Sequence, residues 1–549
     1  KILLLATMAF IKLDITTDSS GESLYRIRNP VYSSRPTIDI SPGIPDRNLL
    51  PKGKGFSFNM DPPFCDFKVL RAMCAAGFKS EAERILYSTR RSYITPEAIW
   101  NGLTNYTNPT AMRLDDAVYQ QVLREARSQF FTPLTPISIE EASGLIPQST
   151  SPGLPYLHTH PGMKKGEVLA TELPRIKRYW ESVGRGEYTL PPHDCAAFAR
   201  SHIGPADTNK VRPVWAFPLD VVCAEAKFAH PYTNALKEQT IGRNTAYGME
   251  MMCGGMTWLD NQLKHARLID PGCKFLMTDY SQFDSTVPAW LIRDCFSIIW
   301  ECFKGHCTRE DYYVFKKLTS YFINTTIRNP DGRRLRKLHG VPSGSMFTNI
   351  IDTIVNFIVT RYIIKKICQS DVMADVYFGD DAIVVLRSST LINIDLLSQA
   401  ADYYFGMKIN TKKSYWTNNI NNVHFLGYYN AHGDAFKPSA ELFASLLYPQ
   451  YWVDDWKYTL ARTMGTLMAA GGNNTDVFIV SQMIYLLATS RNTAFDDAQN
   501  LILNNPRMRR HFSTMGVQPE EINCTMFMSQ QNSIPLLKCT KIIKDIRII

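Results

Sequence analysis

The sequence lacks several patterns that would assign it to a specialised class of protein. Its 12 cysteines form no C-x-x-C pair, no segment repeats, and no run reaches the roughly 18 apolar residues of a membrane span. Zinc sites and disulfide frameworks use paired cysteine spacings, so we expect buried, reduced thiols, as in an intracellular protein. The excess of positive charge is small, since 60 Lys+Arg against 51 Asp+Glu give +9. This balance favours polyanionic partners but does not by itself identify one.

The composition is that of a globular protein, with 45% hydrophobic and 20% charged residues in 549. That length allows three or four domains at about 150 residues each. The apolar run at residues 1–11 is not followed by a signal-peptide cleavage site, so we expect a buried strand or helix there. Residues 29–55, rich in Pro, are expected to run extended. Residues 66–131 and those beyond 438 have helical patterns, whereas residues 265–430 alternate β-branched and helical runs, which predicts an α+β fold.

Two carboxylate-bearing segments about 100 residues apart carry the strongest chemical signal. In the first, an apolar run of strand type ends at Asp279, and Asp284 follows five residues later. In the second, apolar runs flank Gly379, Asp380 and Asp381, which predicts a hairpin with two acids at its tip. Adjacent carboxylates repel each other and are best tolerated with a cation between them. The two segments together therefore predict a two-metal site.

Between these segments lies a flexible turn followed by a helical run with a polar stripe. The turn, Gly-Val-Pro-Ser343-Gly344-Ser, can bring backbone close to a nucleic acid. In the following run, residues 346–364, short polar side chains recur at every fourth position: Thr348, Asp352 and Asn356. A solvated helix face normally carries Lys and Glu, so this stripe indicates a buried surface that binds sugar hydroxyls or bases.

The order of these parts resembles that of the RNA-directed RNA polymerases of viruses. The strand with Asp279, the turn and helix of residues 340–356, and the hairpin of residues 379–381 match the family's first three palm motifs. The sequence of the second motif is most similar to that of the partitivirus and picobirnavirus groups, which have bisegmented double-stranded RNA genomes. The resemblance implies a helix-rich closed right hand, with fingers, a palm built on an antiparallel sheet, and a thumb.

Further segments resemble other motifs of the family, and the resemblance implies their roles. A template-entry loop would contain Ser151, Gly153 and Pro155. A basic fingers motif would hold the incoming triphosphate through Lys210 and Arg212. The fifth palm motif would touch the primer strand through Phe425, Leu426 and Gly427. The fourth would supply a general acid for pyrophosphate, for which we choose Lys413 over Lys412 and Lys408.

The resemblance also implies the cofactor and the nucleotide-binding residues. Two Mg²⁺ ions, replaceable by Mn²⁺, would be bound by Asp279, Asp380 and Asp381. Asp284 would bond the ribose 2′-hydroxyl. The incoming nucleotide would also meet the turn and the polar stripe: Ser343, Gly344, Thr348, Asp352 and Asn356. Picornavirus-like enzymes have Asn at the position of Asp352, where a carboxylate would accept a hydrogen bond instead of donating one.

The implied domains and partners follow from the same resemblance. Residues 1–65 would bridge fingers to thumb, residues 66–235 and 295–338 would form the fingers, residues 236–294 and 339–430 the palm, and residues 431–549 the thumb. The partners would be RNA template and product duplex, nucleoside triphosphates and a capsid protein, with no membrane. The enzyme would act in the virus particle or the host cytoplasm and initiate without a primer.

Two basic segments are further candidates for RNA contact. A run in the fingers insertion contains Arg333, Arg334, Arg336 and Lys337, and we expect it to face RNA or to be a solvated hairpin edge. The C-terminal tail, residues 520–549, mixes apolar residues with Lys and Arg. We expect it either to pack on the thumb or to fill part of the product channel.

Three other classes of protein compete with this interpretation. A reverse transcriptase shares the palm, but it typically has an aromatic steric gate and often an RNase H domain, whereas this chain has Asp284 and a P-S-G-S turn. A non-catalytic RNA-binding virion protein would not need the intact set of acids and basic residues. A serine hydrolase would need G-x-S-x-G, and Ser343 stands in G-V-P-S-G instead.

Overall fold

A computed structural model of the chain describes residues 13–17, 23–27 and 65–530, except for five positions: Lys210, Thr240, Ile241, Tyr451 and Gly516. Several expectations lie outside the described residues: those for the apolar run 1–11, for the Pro-rich segment 29–55, for Lys210 and for the last 19 residues of the tail. Within the described residues the chain is a helix-rich α+β protein, as the sequence predicts.

Helices form most of the regular structure. Their bounds are Phe67–Ala75 (α1), Lys79–Ser88 (α2), Pro96–Leu103 (α3), Ala117–Phe130 (α4), Ile139–Leu145 (α5), Tyr156–Thr159 (α6), Lys165–Gly184 (α7), Leu219–Glu238 (α8), Gly255–Ile269 (α9), Phe283–Thr286 (α10), Ala289–Phe303 (α11), Arg309–Ile323 (α12), Thr348–Ile363 (α13), Ile394–Phe405 (α14), Ser439–Leu447 (α15), Trp456–Ala469 (α16), Thr475–Thr489 (α17), Phe495–Asn504 (α18) and Pro506–Thr514 (α19). Many begin at a side-chain cap: Asp116, for example, accepts the backbone N–H of Tyr119 at 2.8 Å.

The strands are short and form several small sheets. Their bounds are Leu13–Thr17 (β1), Ser23–Ile27 (β2), Thr89–Arg91 (β3), Cys195–Ser201 (β4), Ile203–Pro205 (β5), Val211–Ala216 (β6), Lys274–Met277 (β7), Tyr280–Ser281 (β8), Thr326–Arg328 (β9), Arg334–Arg336 (β10), Ala374–Phe378 (β11), Asp381–Leu386 (β12), Lys408–Ile409 (β13), Tyr415–Thr417 (β14), His424–Phe425 (β15), Tyr428–Ala431 (β16) and Asp434–Phe436 (β17). The sheets run β1-β2, β3-β5, β10-β9-β4-β6, β11-β12-β7-β14, β8-β13 and β15-β16-β17.

The sheet β11-β12-β7-β14 is antiparallel and is buried on both faces. Side chains alternate across a strand, so Leu276 and Val384 join the main core on one face, while Phe275 and Ile383 join a second core on the other. Burial on both sides explains why these strands are almost wholly apolar. Helix α13 packs on the first face, where Phe357 meets Tyr377 edge-to-face at 5.5 Å.

The first two described helices pack against the C-terminal helices. Val69 and Ile85 share a core with Leu446 and Val480. Asp66, fully buried, caps α1 and accepts the hydroxyl of Thr459 at 2.9 Å, so it ties the two regions together. Residues 66–88, assigned to the fingers from sequence, thus share their core with residues assigned to the thumb.

The described part of the tail belongs to the C-terminal core. Met526 and Phe527 are buried, and the ring of Phe527 stacks on Tyr485 at a centroid distance of 4.8 Å. For residues 520–530 the structure therefore favours packing on the C-terminal helices over filling a channel. None of the helices in the described ranges is long and apolar enough to cross a lipid bilayer.

The basic run in the insertion is largely neutralised within the protein. Arg333 bonds Glu97 at 2.6 Å, and Arg334 bonds Asp194 at 2.8 Å. Lys337 is fully buried, so the expectation that it faces RNA is wrong. Glu97 and Asp194 lie more than 130 residues away in sequence, and only Asp331, which pairs with Arg333 at 2.6 Å, is close to the run. Most of this neutralisation therefore cannot be seen when the run is read alone.

Candidate active site

Gly379, Asp380 and Asp381 form the tip of the hairpin between β11 and β12, as predicted. Phe378 pairs with Asp381, which leaves Gly379 and Asp380 as the turn. Gly379 has φ +63°, a left-handed conformation that glycine adopts without strain. Its N–H donates to Thr353 Oγ1 at 2.9 Å, and its carbonyl accepts Asn356 Nδ2 at 3.1 Å. Two neighbouring turns of α13, through Thr353 and Asn356, therefore fix the hairpin tip.

Asp279 reaches the same place from the neighbouring strand. Met277 pairs with Ile383, so continuing this register by two residues sets Asp279 opposite Asp381. The N–H of Asp279 donates to Ser414 Oγ at 2.9 Å, and its carbonyl accepts the N–H of Asn410 at 2.7 Å. Asp279 is thus held at its backbone, and its carboxylate remains available to a ligand.

Electrostatic effects show that the acids gather in one place. Burial, followed by the charges of Asp380 and Asp279, raises the pKa of Asp381 to about 7. Burial also raises the pKa of Asp380, with a further contribution from Asp279, whereas the charge of Arg212 lowers it. Mutually repelling carboxylates of this kind are the groups that a bound cation would stabilise.

Asp284 and Asp352 form a second, more deeply buried pair beside the first. Burial and then the charge of Asp380 raise the pKa of Asp284 to about 7, and Arg212 opposes the shift. The pKa of Asp352 is raised well above its usual value by burial and then by Asp284. Asp352 Oδ1 has no hydrogen-bond partner among the described residues. A carboxyl kept neutral in this way can donate a hydrogen bond as well as accept one. The expectation that Asp352 accepts a hydrogen bond from the sugar stays a prediction.

The donor set matches what divalent magnesium requires. Carboxylate oxygens are its preferred protein ligands, and three aspartates end at one edge of the sheet: Asp279, Asp380 and Asp381. In the part of the chain that the structure describes, no group of three or more His, Cys, Asp or Glu side chains is drawn together as a metal-ligand cluster. The three aspartates fit the ion by the chemistry of their side chains.

The Ser343–Gly344 turn lies directly against strand β6. The N–H of Trp215 donates to Ser343 Oγ at 3.3 Å. A Cβ on Gly344 would stand 2.0 Å from the carbonyl oxygen of Trp215, so only glycine fits there. Thr348 Oγ1 donates to the Ser345 carbonyl at 2.9 Å. Strand β6 also carries Arg212, whose charge lowers the pKa of Asp380, so one strand joins the turn to this cationic residue.

The loop with Ser151, Gly153 and Pro155 lies against the residues that follow β6. Gly153 has φ +71°, and a Cβ there would stand 2.7 Å from the carbonyl oxygen of Phe217. The N–H of Leu219 donates to the carbonyl of Pro152 at 2.9 Å. The segment 215–219 therefore separates this loop on one side from the Ser343–Gly344 turn on the other.

The turn of Phe425, Leu426 and Gly427 connects β15 to β16 beside the acidic hairpin. The N–H of Leu426 stabilises the Asp381 carboxylate and so lowers its pKa. Leu426 has φ +50°, which is uncommon for a branched residue and keeps its N–H in this position. Phe425 is buried in the second core, whereas Leu426 and Gly427 are half-buried.

The three candidate lysines lie on one segment but in different environments. Lys408 is on β13, paired with Ser281 of β8. Lys412 and Lys413 are exposed in the turn before β14, next to Ser414, which bonds the backbone of Asp279. The choice of Lys413 as general acid stays a prediction.

Two residues near the site lie outside every sequence motif described above. Glu225, on α8, accepts Ser345 Oγ at 2.6 Å and the N–H of Met346 at 2.8 Å. Tyr106 packs edge-to-face on Trp215 at 5.0 Å, and its pKa is raised well above its usual value by burial and then by Asp284 and Asp352. An isolated Glu in an apolar helical run is the only sequence signal for Glu225.

Comparison with known proteins gives a consistent result. The family model described as viral RNA-dependent RNA polymerase matches residues 75–443. The RNA-directed RNA polymerase of Cryptosporidium parvum virus 1 is 31% identical over 259 residues, covering 46% of this chain and 46% of the relative. Those of White clover cryptic virus 1 and Atkinsonella hypoxylon virus are 26% and 27% identical, covering 51% and 47% of this chain and 49% and 45% of the relatives. The chain thus spans about half the length of the relatives it matches.

Proposed function

Because the chain belongs to the family of viral RNA-dependent RNA polymerases, we propose that it catalyses template-directed synthesis of RNA from nucleoside triphosphates. The resemblance drawn from the motif order is confirmed at the level of the family. The observation that carries the proposal is the gathering of three aspartates, Asp279, Asp380 and Asp381, with Arg212 facing them from β6.

In this proposal the three aspartates hold Mg²⁺ or Mn²⁺. Bound in pairs, such ions stabilise the attacking 3′-oxygen and the leaving pyrophosphate oxygen. Arg212 and Lys210 bind the triphosphate, for which the planar guanidinium of Arg212 suits phosphate oxygens. Lys413 gives a proton to the pyrophosphate.

The buried acids provide the ribose-binding surface. Asp284 accepts a hydrogen bond from the 2′-hydroxyl, and Asp352, kept neutral by burial, donates a hydrogen bond to the same hydroxyl as an amide would. The orphaned Asp352 Oδ1 supports this role, because a buried polar atom without a partner is costly unless a ligand satisfies it. The remaining nucleotide contacts come from Ser343, Gly344, Thr348 and Asn356.

The path of the RNA follows from the two flanking turns. The template strand passes along the loop of Ser151, Gly153 and Pro155. The primer strand passes along the backbone of Phe425, Leu426 and Gly427. The chain adopts a closed right hand with the domain bounds predicted from sequence, starts RNA without a primer, and copies a double-stranded RNA genome. It works with a capsid protein in the particle or the host cytoplasm.

The test is primer-free incorporation of labelled ribonucleotides on a defined single-stranded RNA with Mg²⁺. Asp380→Ala and Asp279→Ala should abolish nucleotide addition but keep RNA binding, because phosphate contacts come from Lys and Arg spread along the channel. Asp496→Ala, which removes an exposed carboxylate from the first turn of α18, is the matched control and should retain activity. Robust synthesis by either site variant would refute the assignment.

A further inference from the structure

The segment of residues 340–346, here called the Ser/Gly loop, rests at both ends on a buried ionisable side chain. At its C-terminal end Glu225 is 1% exposed and accepts Ser345 Oγ at 2.6 Å and the Met346 N–H at 2.8 Å. At its N-terminal end Lys337 is 0% exposed, and its Nζ donates to the Gly340 carbonyl at 2.8 Å.

Lys337 joins the loop to the end of a helix. Its Nζ also donates to the carbonyls of Phe322 and of Ile323, the latter at 3.0 Å. These are among the last carbonyls of α12, which have no partner within the helix. Burial lowers the pKa of Lys337 well below its usual value, and the N–H donors of its Nζ are shared between the end of α12 and the start of the Ser/Gly loop. The loop therefore cannot shift at Gly340 without leaving buried polar groups unpaired.

Glu225 joins the other end of the loop to the strand-and-helix unit that carries Arg212. Its helix, α8, begins three residues after β6, which bears Arg212 and Trp215. Ser345 Oγ also accepts the N–H of Phe347 at 3.0 Å, so the Glu225 contact orients the first residues leading into α13. A polar group buried this deeply costs free energy unless it is hydrogen-bonded, and the partners of Glu225 lie in the loop.

Between its two ends the loop is in close contact with the strand. Gly344 lies against the Trp215 carbonyl with no room for a Cβ, and the N–H of Val341 donates to the Asp284 carbonyl at 2.7 Å. The loop thus spans the space between Arg212 and Asp284. Any loosening of its ends changes the spacing of groups that face the incoming nucleotide.

We propose that Glu225 and Lys337 are positioning residues that hold the Ser/Gly loop in the shape that binds the incoming nucleotide. The inference rests on the proposed function for the identity of the ligand. Neither residue touches the reacting atoms; both act through the loop.

Three variants test the proposal. Glu225→Ala removes both hydrogen bonds, whereas Glu225→Gln keeps an acceptor for Met346 and offers a donor to Ser345. Lys337→Met keeps the aliphatic shape of the side chain and removes its donors. Asp66→Ala is the matched control, since Asp66 is equally buried and also accepts a hydroxyl, but it lies between α1 and the C-terminal helices.

Hydrogen exchange of the loop and nucleotide affinity are the two readouts. We expect Glu225→Ala and Lys337→Met to raise exchange of the amides of residues 343–348 and to raise the KM for ribonucleotides roughly tenfold, with a smaller change in kcat. Glu225→Gln should stay close to wild type. Asp66→Ala should lower thermal stability with KM unchanged.

The experiment distinguishes failure of the positioning role from failure of the proposed function. Unchanged exchange and unchanged KM in both Glu225→Ala and Lys337→Met, or equal damage from Glu225→Gln and Glu225→Ala, would overturn the positioning role. If the wild type makes no RNA at all, the proposed function fails. The positioning role is then still decided by loop exchange and by the Kd of ATP, measured by direct titration of the wild type and the variants.

Discussion

Replacing Glu225 by Gln should remove a pH dependence of stability that the buried carboxyl imposes on the fold. Burial raises the pKa of Glu225 from 4.5 to about 8, while Ser345, Met346 and Lys165 partly oppose the shift. The folded chain therefore holds a proton on Glu225 at pH values where the unfolded chain has lost it. Glutamine has the same shape as the protonated side chain but cannot ionise.

The size and sign of the effect follow from this raised pKa. Below pH 4.5 Glu225 is protonated in both the folded and the unfolded chain, so its ionisation does not change the free energy of unfolding. As the pH rises from 4.5 to about 8, the folded state binds one proton more, so stability falls by about 1.4 kcal/mol per pH unit. Between pH 6 and pH 7.5 the wild type should lose about 2 kcal/mol relative to Glu225→Gln.

The measurement is the thermal unfolding midpoint of both proteins at several pH values between 6 and 7.5. All other titrations are shared, so the difference between the two proteins isolates Glu225 and the groups that face it: Lys165 on α7, Cys195 on β4 and Tyr321 on α12. Burial raises the pKa of Cys195 and Tyr321 well above their usual values, so both stay protonated over this range. Repeating the comparison with Lys165→Met in both proteins removes the remaining neighbour. A difference in unfolding midpoint between the two proteins that does not change with pH would refute the reasoning.

Three further predictions concern ribose selection, the loop and the tail. Asp284→Ala should lower the efficiency with ribonucleotides about a hundredfold more than with deoxynucleotides, because a buried partner of the 2′-hydroxyl is lost; an unchanged ratio would contradict the role. Gly344→Ala should abolish synthesis, since its methyl group would meet a β6 carbonyl at 2.0 Å, whereas Gly144→Ala, which meets nothing within 4 Å, should not. Deletion from residue 520 should lower the thermal midpoint by several degrees more than deletion of residues 531–549 alone, because it also removes core side chains. If the shorter deletion leaves both primed extension and primer-free initiation unchanged, the undescribed tail has no part in initiation.

The structure could be predicted from the sequence where the local pattern of side chains and the chemistry of the site agree. The hairpin tip at Asp380 is flanked by strands that are apolar at nearly every position, a pattern that only a sheet buried on both faces explains. The helical run with Asp352 and Asn356 forms α13, with both polar side chains buried. In these places the periodicity of the side chains and the chemistry of the acids predict the same secondary structure.

Sequence reasoning failed where the deciding contact depends on how separate elements pack together. Lys337 looks like part of an exposed basic run, yet it is buried because the carbonyls ending α12 and starting the Ser/Gly loop converge on it. Glu225 looks like one acid in an apolar helix, and its partners lie 120 residues away. Neither contact leaves a periodic trace in the sequence.

Two glycines lie against backbone at the end of β6 and directly after it. Gly153 in the proposed template loop lies against the Phe217 carbonyl, and Gly344 in the Ser/Gly loop lies against the Trp215 carbonyl. Two residues of backbone thus separate the groups that would meet the template from those that would meet the nucleotide. Because packed backbone transmits displacement with little compliance, a shift of the template loop would move Trp215 and with it the loop that Glu225 holds.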